Sequence, residues 1–140
     1  MTVLKRGSLG AVFVAQLVAS TFFGWAQAPQ SLQSRIPKPD PMKYHAVQDA
    51  KDWKNPYLIV RRDGVEIVGM TAIGQAIPVD SVPGVLKGLP DSAWPYGLVV
   101  AVQDIGLVSE GDPPRIEANR KRLLMLLKKL AIAVDLWPSA

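Results

Sequence analysis

Short apolar runs separated by a polar turn predict a β-hairpin within residues 57–68. Residues 57–60 and 65–68 are rich in β-branched side chains, and Asp63-Gly64 lies between them. Asp-Gly in this position favours a two-residue turn with both residues at positive φ, because that twist matches the twist of the paired strands. The two runs are therefore predicted to be antiparallel neighbours.

The stretch "GLVVAVQ" at residues 97–103 predicts a strand in the interior of the sheet. Leu98, Val100 and Val102 occupy one alternating set of positions, and Val99 and Ala101 occupy the other. Successive side chains point to opposite faces of a sheet, so a strand that is apolar in both sets is buried on both faces.

Two helices are predicted from apolar positions at helical spacing. A short one begins near Pro83, is capped by Asp80 or Ser81, and has an apolar side of four residues: Val82, Val85, Leu86 and Leu89. A long one covers residues 115–130 with Asp112 as its cap. Its apolar face has five residues: Ile116, Leu123, Leu126, Leu127 and Leu130.

A last strand is predicted over residues 132–137, with Ile132, Val134 and Leu136 pointing inward. Strand, long helix and strand joined by short links form a crossover that makes the two strands parallel neighbours. The sequence therefore predicts an α+β (α/β-like) fold. Hairpin, short helix, strand, long helix and strand form a small mixed sheet with the helices on one face.

The N-terminus predicts export. Residues 1–26 combine a basic start at Lys5 and Arg6, a short apolar run and a small-residue end, which is the layout of a cleaved signal peptide. The alternative is a retained membrane anchor, since residues 9–26, which include the polar Gln16, Ser20 and Thr21, have the minimum length for a membrane span. In both cases the rest of the chain lies outside the cytoplasm, because basic residues favour the cytoplasmic side.

Prolines at positions 29, 37, 39 and 41 predict an extended tether over residues 27–43, since closely spaced prolines disfavour a helix. The remaining residues, 44–140, are predicted to form a single small domain.

Charge and composition exclude several functions. Two of the 16 basic residues and none of the 12 acidic residues lie in residues 1–26, so the remaining chain has a net charge of +2. That value does not indicate a nucleic-acid partner. The chain has no cysteine, which excludes disulfides, thiolate metal sites and cysteine nucleophiles.

The polar residues predict no catalytic or metal site and no cofactor. His45 is the one histidine and lies beside the predicted tether, so it is interpreted as a solvated side chain. Asp104, Glu110 and Asp112 lack the spacing of a calcium loop and are interpreted as loop and cap residues.

Four aromatic residues are the candidates for a partner or ligand surface: Trp53, Trp94, Tyr96 and Trp137. Trp94 precedes the central strand and Trp137 ends the last strand, so the two Trp-Pro pairs are predicted not to form one surface. The favoured role is to close the ends of the core, with the indole N–H groups at its wet rim. A binding role is the alternative, because aromatic residues are enriched in interfaces.

The order of the elements resembles the periplasmic domain of the ExbD/TolR family of biopolymer-transport accessory proteins. The similar stretches are "VRRDGVEIVG", "VDSVPGVLKGL", "GLVVAVQD" and "IEANRKRLLMLLKKLAIAVDL". The resemblance implies a membrane segment, a tether and a domain with both helices on one face. The family's membrane segment carries an aspartate used for proton coupling, whereas residues 8–26 contain no acidic residue. The resemblance therefore implies the fold and not the proton-coupled activity.

Two functions of different class follow. The first is an exported, periplasmic or extracellular, non-enzymatic interaction domain that binds a protein or another cell-envelope component. The second is an accessory subunit of an energy-transducing membrane complex, held in the inner membrane by a retained N-terminal segment and facing the periplasm. A membrane partner is expected only in the second case.

Overall fold

A computed structural model describes residues 31–105 and 111–139. The predicted leader and Glu110 lie outside the described residues. Four strands form one sheet in the order β2-β1-β3-β4. They are β1 (Tyr57–Arg61), β2 (Gly64–Ile67), β3 (Val99–Asp104) and β4 (Ala133–Trp137). β2 is antiparallel to β1, whereas β1, β3 and β4 run parallel to one another. The predicted α+β fold with a mixed sheet is confirmed.

The described helices are α1 (Leu32–Arg35), α2 (Pro41–Tyr44), α3 (Val82–Lys87) and α4 (Pro113–Lys129). Single 3-10 turns lie at Ala50–Asp52, Val79–Ser81 and Asp91–Ala93. Among the helices in the described ranges, none combines the length and the apolar character that a membrane crossing requires.

The predicted hairpin forms, but its turn lies one residue earlier than predicted. Arg61 pairs with Gly64, so the turn residues are Arg62 and Asp63, and neither has a positive φ. Gly64 is the first residue of β2 and has φ 143°. A Cβ there would lie 2.0 Å from the carbonyl oxygen of Ile77. The glycine is thus required by its φ and by the close approach of a second chain segment.

The central strand agrees with the prediction. β3 lies between β1 and β4. Val100 and Val102 face the helices, while Val99 and Ala101 face the other side of the sheet. Each of these four side chains is at most 1% exposed.

Helices α3 and α4 pack on the same face of the sheet, as predicted. Val82 and Leu86 of α3, and Leu123 and Leu127 of α4, are fully buried in a core shared with β1 and β3. We call this the helix-side core. The spacing of these residues places each set on one side of its helix.

Asp112 and Ser81 lie at the N-cap positions, as predicted, but neither side chain makes the capping hydrogen bond. Asp112 precedes α4 with φ 58°. That backbone differs from the extended conformation from which a cap side chain reaches the first free amides. Ser81 precedes α3 and also makes no capping bond, and Asp80 instead accepts from Arg122 Nε at 2.9 Å.

The extended tether predicted over residues 27–43 is wrong for its described part, residues 31–43. Leu32 and Ile36 lie four residues apart at α1, are each 4% exposed, and join the helix-side core. Pro37 accepts a hydrogen bond from the backbone N–H of Leu98 at 2.9 Å, so the proline-rich stretch lies against the entry to β3. Burial of two large apolar side chains outweighs the preference of the prolines for a solvated chain. The compact unit accordingly begins at Ser31 and not at Tyr44.

The inward alternation predicted for the last strand holds only in part. Ile132 is buried and Val134 is partly buried against the helix-side core. Leu136 is 55% exposed, and β4 is an edge strand.

Candidate functional site

Aromatic side chains cover the sheet face opposite to α3 and α4. Five of them are in ring contact and form what we call the aromatic cluster: Tyr44, Trp53, Tyr57, Tyr96 and Trp137. The ring centroid of Trp53 lies 5.5 Å from that of Tyr44, 5.0 Å from Tyr96 and 5.9 Å from Trp137. Tyr57 contacts Trp137 at 5.6 Å. Most of these pairs are edge-on, which is a favourable arrangement of aromatic rings.

Three of the four aromatic residues predicted as candidates therefore come together, and Trp94 does not. Trp94 lies in the helix-side core, on the opposite face of the sheet from Trp137. The two Trp-Pro pairs accordingly do not form one surface. Trp94 is 3% exposed, and its Nε1 is buried without a hydrogen-bond partner among the described residues. The prediction that this N–H lies at a wet rim is wrong, because Nε1 is buried in the helix-side core.

The inner part of the aromatic cluster is a second small core. Trp53, Tyr57 and Tyr96 are 7%, 6% and 7% exposed. Trp53 Nε1 donates to the carbonyl of Pro56 at 3.2 Å, and the Tyr96 hydroxyl donates to the carbonyl of Asp52 at 3.1 Å. The Tyr57 hydroxyl donates to Gln103 Oε1, and burial raises the pKa of Tyr57. These three residues hold the segment before β1 against the sheet.

Asn55 connects the segment before β1 to the entry of β3. Its Nδ2 donates to the carbonyls of Gly97 and Val99, both at 2.8 Å, and its Oδ1 accepts from the backbone N–H of Tyr96 at 2.9 Å. The side chain is 5% exposed, so water has little access to these groups.

The rim of the aromatic cluster opens onto a groove. Tyr44 and Trp137 are only half-buried. Beside them lies a groove of about 380 Å³ lined by seven residues: His45, Val47, Gln48, Asp135, Leu136, Trp137 and Pro138. We call it the β4 groove.

Asp135 supplies the carboxylate of the β4 groove. Its Oδ2 accepts from Trp137 Nε1 at 2.9 Å. The pKa of Tyr44 is raised by burial and, to a lesser extent, by the carboxylates of Asp135 and Asp40. The negative charge of Asp135 therefore lies near the rim tyrosine as well as the rim tryptophan.

The outer edge of β4 is open among the described residues. Ala133 donates its N–H to the carbonyl of Leu98 at 3.0 Å, and β4 is the last strand in the sheet order. Successive residues of a strand direct their main-chain groups to opposite sides. Asp135 and Trp137 therefore pair toward β3, while Val134 and Leu136 direct their N–H and C=O groups away from the sheet.

Two further titratable groups are His45, which lines the β4 groove, and Asp104, which is not among the lining residues. His45 is exposed, and its Nδ1 lies 2.8 Å from the carbonyl oxygen of Pro41. Burial raises the pKa of Asp104, and Arg120, whose Nε lies 3.6 Å from Asp104 Oδ2, partly opposes that rise. Within the described ranges, no group of three or more metal-ligating side chains is placed to hold a metal ion.

Sequence reasoning missed five contributors to this region: Tyr44, Asn55, Tyr57, Asp135 and Leu136. Tyr57 alternates with the buried Leu58, which was a signal that it faces the other side of the sheet. Asn55 gave no such signal, since its role depends on three partners that lie about 40 residues away.

Comparison of the chain with protein-family models, with curated proteins and with solved structures finds no significant match.

Proposed function

We propose that this protein is an exported, non-enzymatic interaction domain that binds a partner polypeptide of the cell envelope by strand addition to β4. The observation that carries the proposal is the open edge of β4 beside the β4 groove. Strand addition obtains affinity from main-chain hydrogen bonds and specificity from side chains that enter neighbouring pockets.

The two edges of the sheet differ in a way that supports this proposal. The edge at β2 is partly covered, because Val65 forms an antiparallel bridge with Ile77. No described residue forms a comparable bridge to the outer side of β4. Proteins normally protect open edges with charged side chains, prolines or bulges. β4, with the sequence AVDLW, has no lysine or proline, carries a single charge at Asp135 and exposes Leu136.

The aromatic cluster supports the same edge as a preformed surface. Trp137 is held by rings on two sides, Trp53 and Tyr57, and by its hydrogen bond to Asp135. A rigid aromatic side chain at the rim loses little conformational freedom on binding, which favours affinity. Export is supported by the basic start and short apolar run of residues 1–26.

A second candidate is an ExbD/TolR-like accessory subunit of a membrane complex. The observation that favours it is the element order, in which hairpin, α3, β3, α4 and β4 place both main helices on one face. The mass of the exported protein separates the two candidates. A mature chain that begins near Gln27 supports the free interaction domain, and a chain that retains Lys5 and Arg6 supports the membrane subunit.

Site-specific photocrosslinking tests strand addition. A photoreactive amino acid at position 136 is expected to crosslink an envelope polypeptide. The same group at position 73 is the control, since Ile73 is 100% exposed and follows β2, at the other edge of the sheet. Equal crosslinking at both positions would show that exposure alone explains the products.

Two variants at Leu136 complete the test. Leu136→Pro removes an outward N–H without removing a bond to β3, and edge strands accept proline, so the variant is expected to fold and to lose the crosslink. Leu136→Val retains the N–H and an apolar side chain and is expected to keep it. Retention of the crosslink by folded Leu136→Pro protein would refute strand addition.

A further inference from the structure

We infer that the strand bound at β4 carries a lysine or arginine opposite Asp135, with apolar residues on either side of it. This inference rests on the proposed function and specifies the chemistry of the partner. It follows from which side chains β4 presents on each face of the sheet beside its open edge.

Asp135 lies on the face of the aromatic cluster, at the centre of β4. The neighbours Ala133 and Trp137 point to that same face and pack against the cluster. Asp135 is half-buried, and no described cation lies within ion-pair distance of it. Its described hydrogen bond comes from the neutral indole N–H of Trp137. The carboxylate therefore has capacity to accept further hydrogen bonds from a cation.

The other side chains of the β4 groove fit a basic residue. Asp135 and His45 are the lining residues with ionisable side chains, and the other five lining residues have none. The half-buried indole of Trp137 donates its N–H to the carboxylate, and Tyr44 belongs to the same aromatic cluster through Trp53. An aromatic ring attracts a cation above its face, and the aliphatic stem of lysine or arginine packs on apolar surface while its charged end reaches a carboxylate.

The opposite face of β4 determines the flanking residues. Val134 packs against the helix-side core, and Leu136 is exposed on that same side by alternation. Directly opposite side chains on neighbouring strands lie about 4.5–5.5 Å apart and point to the same face. An added strand with a basic residue opposite Asp135 therefore places its next residues opposite Val134 and Leu136, where apolar side chains cover the exposed leucine.

Peptide binding followed by NMR tests the inference on the domain without its leader, beginning at Gln27. The probe is acetyl-Thr-Val-Arg-Val-Thr-amide, and the controls replace its Arg by Gln or by Glu. The Arg peptide is expected to shift the amide signals of Val134 and Leu136 and the indole signal of Trp137. Its affinity is expected to exceed that of the Gln peptide by about three- to tenfold, which is the range of an opposite-charge pair with a cation–π contact.

Two variants assign the selectivity. Asp135→Asn retains an oxygen that accepts from the Trp137 indole but removes the charge, so the preference for the Arg peptide over the Gln peptide is expected to fall to the part that a cation–π contact supplies. Asp63→Asn is the matched control, because Asp63 lies in the hairpin turn near the other edge of the sheet. It is expected to leave the selectivity unchanged.

Each failure has a distinct meaning. Equal binding of the Arg, Gln and Glu peptides to the wild-type domain would overturn the basic-residue inference and leave strand addition standing. No shift with any peptide would overturn strand addition and this inference with it. Binding of acetyl-arginine amide as strong as that of the Arg peptide would show a site for a free cation, which overturns the strand pattern.

Discussion

The Oδ1 atom of Asn55 accepts the backbone N–H of Tyr96 at 2.9 Å, and this bond joins the segment before β1 to the segment before β3. The amide nitrogen of Asn55 satisfies two further carbonyls at the entry of β3. The side chain of Asn55 thus provides hydrogen-bond partners for three main-chain groups at the entry of β3, beside the aromatic cluster.

Replacement of Asn55 is expected to destabilise the domain strongly. Asn55→Ala leaves the N–H of Tyr96 and the carbonyl of Val99 without their Asn55 partner, whereas the carbonyl of Gly97 still accepts from the N–H of Val99. Each buried group left unsatisfied costs about 1–3 kcal/mol. The free energy of unfolding from urea denaturation should fall by at least about 2 kcal/mol. Asn119→Ala is the control, since Asn119 also donates to two carbonyls but is partly exposed to water. A similar loss in both variants would contradict the role of burial.

A side chain at position 64 is expected to disrupt the contact between β2 and the Ile77 segment. Gly64→Ala places a Cβ 2.0 Å from a carbonyl oxygen and requires a φ that L side chains rarely adopt. Backbone strain of this kind costs about 1–3 kcal/mol. Gly84→Ala is the matched control, because nothing lies within 4 Å of a Cβ there and alanine favours the helix. Denaturant midpoints should fall for Gly64→Ala and stay level or rise for Gly84→Ala.

Trp94 is expected to contribute to stability through its volume and not through its N–H. Trp94→Ala removes a fully buried aromatic side chain and should cost about 3–5 kcal/mol. Trp94→Phe keeps most of the ring and removes an N–H that has no described partner, so its cost should be well below that of the alanine variant. Thermal and urea unfolding of the two variants measure the difference. Equal losses would show that the indole N–H is hydrogen-bonded in solution.

Tyr57 is expected to make the fold sensitive to alkaline pH. Burial raises its pKa above the ordinary value of 10.0, so the folded state favours the neutral phenol. The resulting stability is present below the ordinary pKa of about 10 and is lost as the pH rises through the raised folded value. The free energy of unfolding should therefore fall above about pH 10, and Tyr57→Phe should fall less steeply. Parallel pH profiles for the two proteins would contradict this assignment.

The sequence alone determined the elements whose signal is local. The hairpin, β3 and α4 are predicted because apolar residues recur at strand or helix spacing within each segment. In β3, the side chains of Val99 and Val100 are predicted to point to opposite faces of the sheet, and in α4, Leu123 and Leu127 lie about one helical turn apart. Parallel pairing of β3 and β4 followed from the short crossover through α4. For the candidate site, the sequence identified Trp53, Tyr96 and Trp137 individually, as aromatic residues.

Only the tertiary structure decided which of those residues meet. Trp53 and Trp137 are more than 80 positions apart and share a cluster because Asn55 and the parallel register bring their segments together. Trp94, two residues before Tyr96, enters the other core. The chain turns at Pro95 and Tyr96, where the N–H of Gly97 donates to the carbonyl of Trp94, so the alternation of a strand does not apply there. The spacing of the prolines predicts an extended tether, but Leu32 and Ile36 are buried in the helix-side core. No local sequence pattern indicates that contact. Local preference is encoded along the chain, whereas burial depends on partners that only the folded chain brings together.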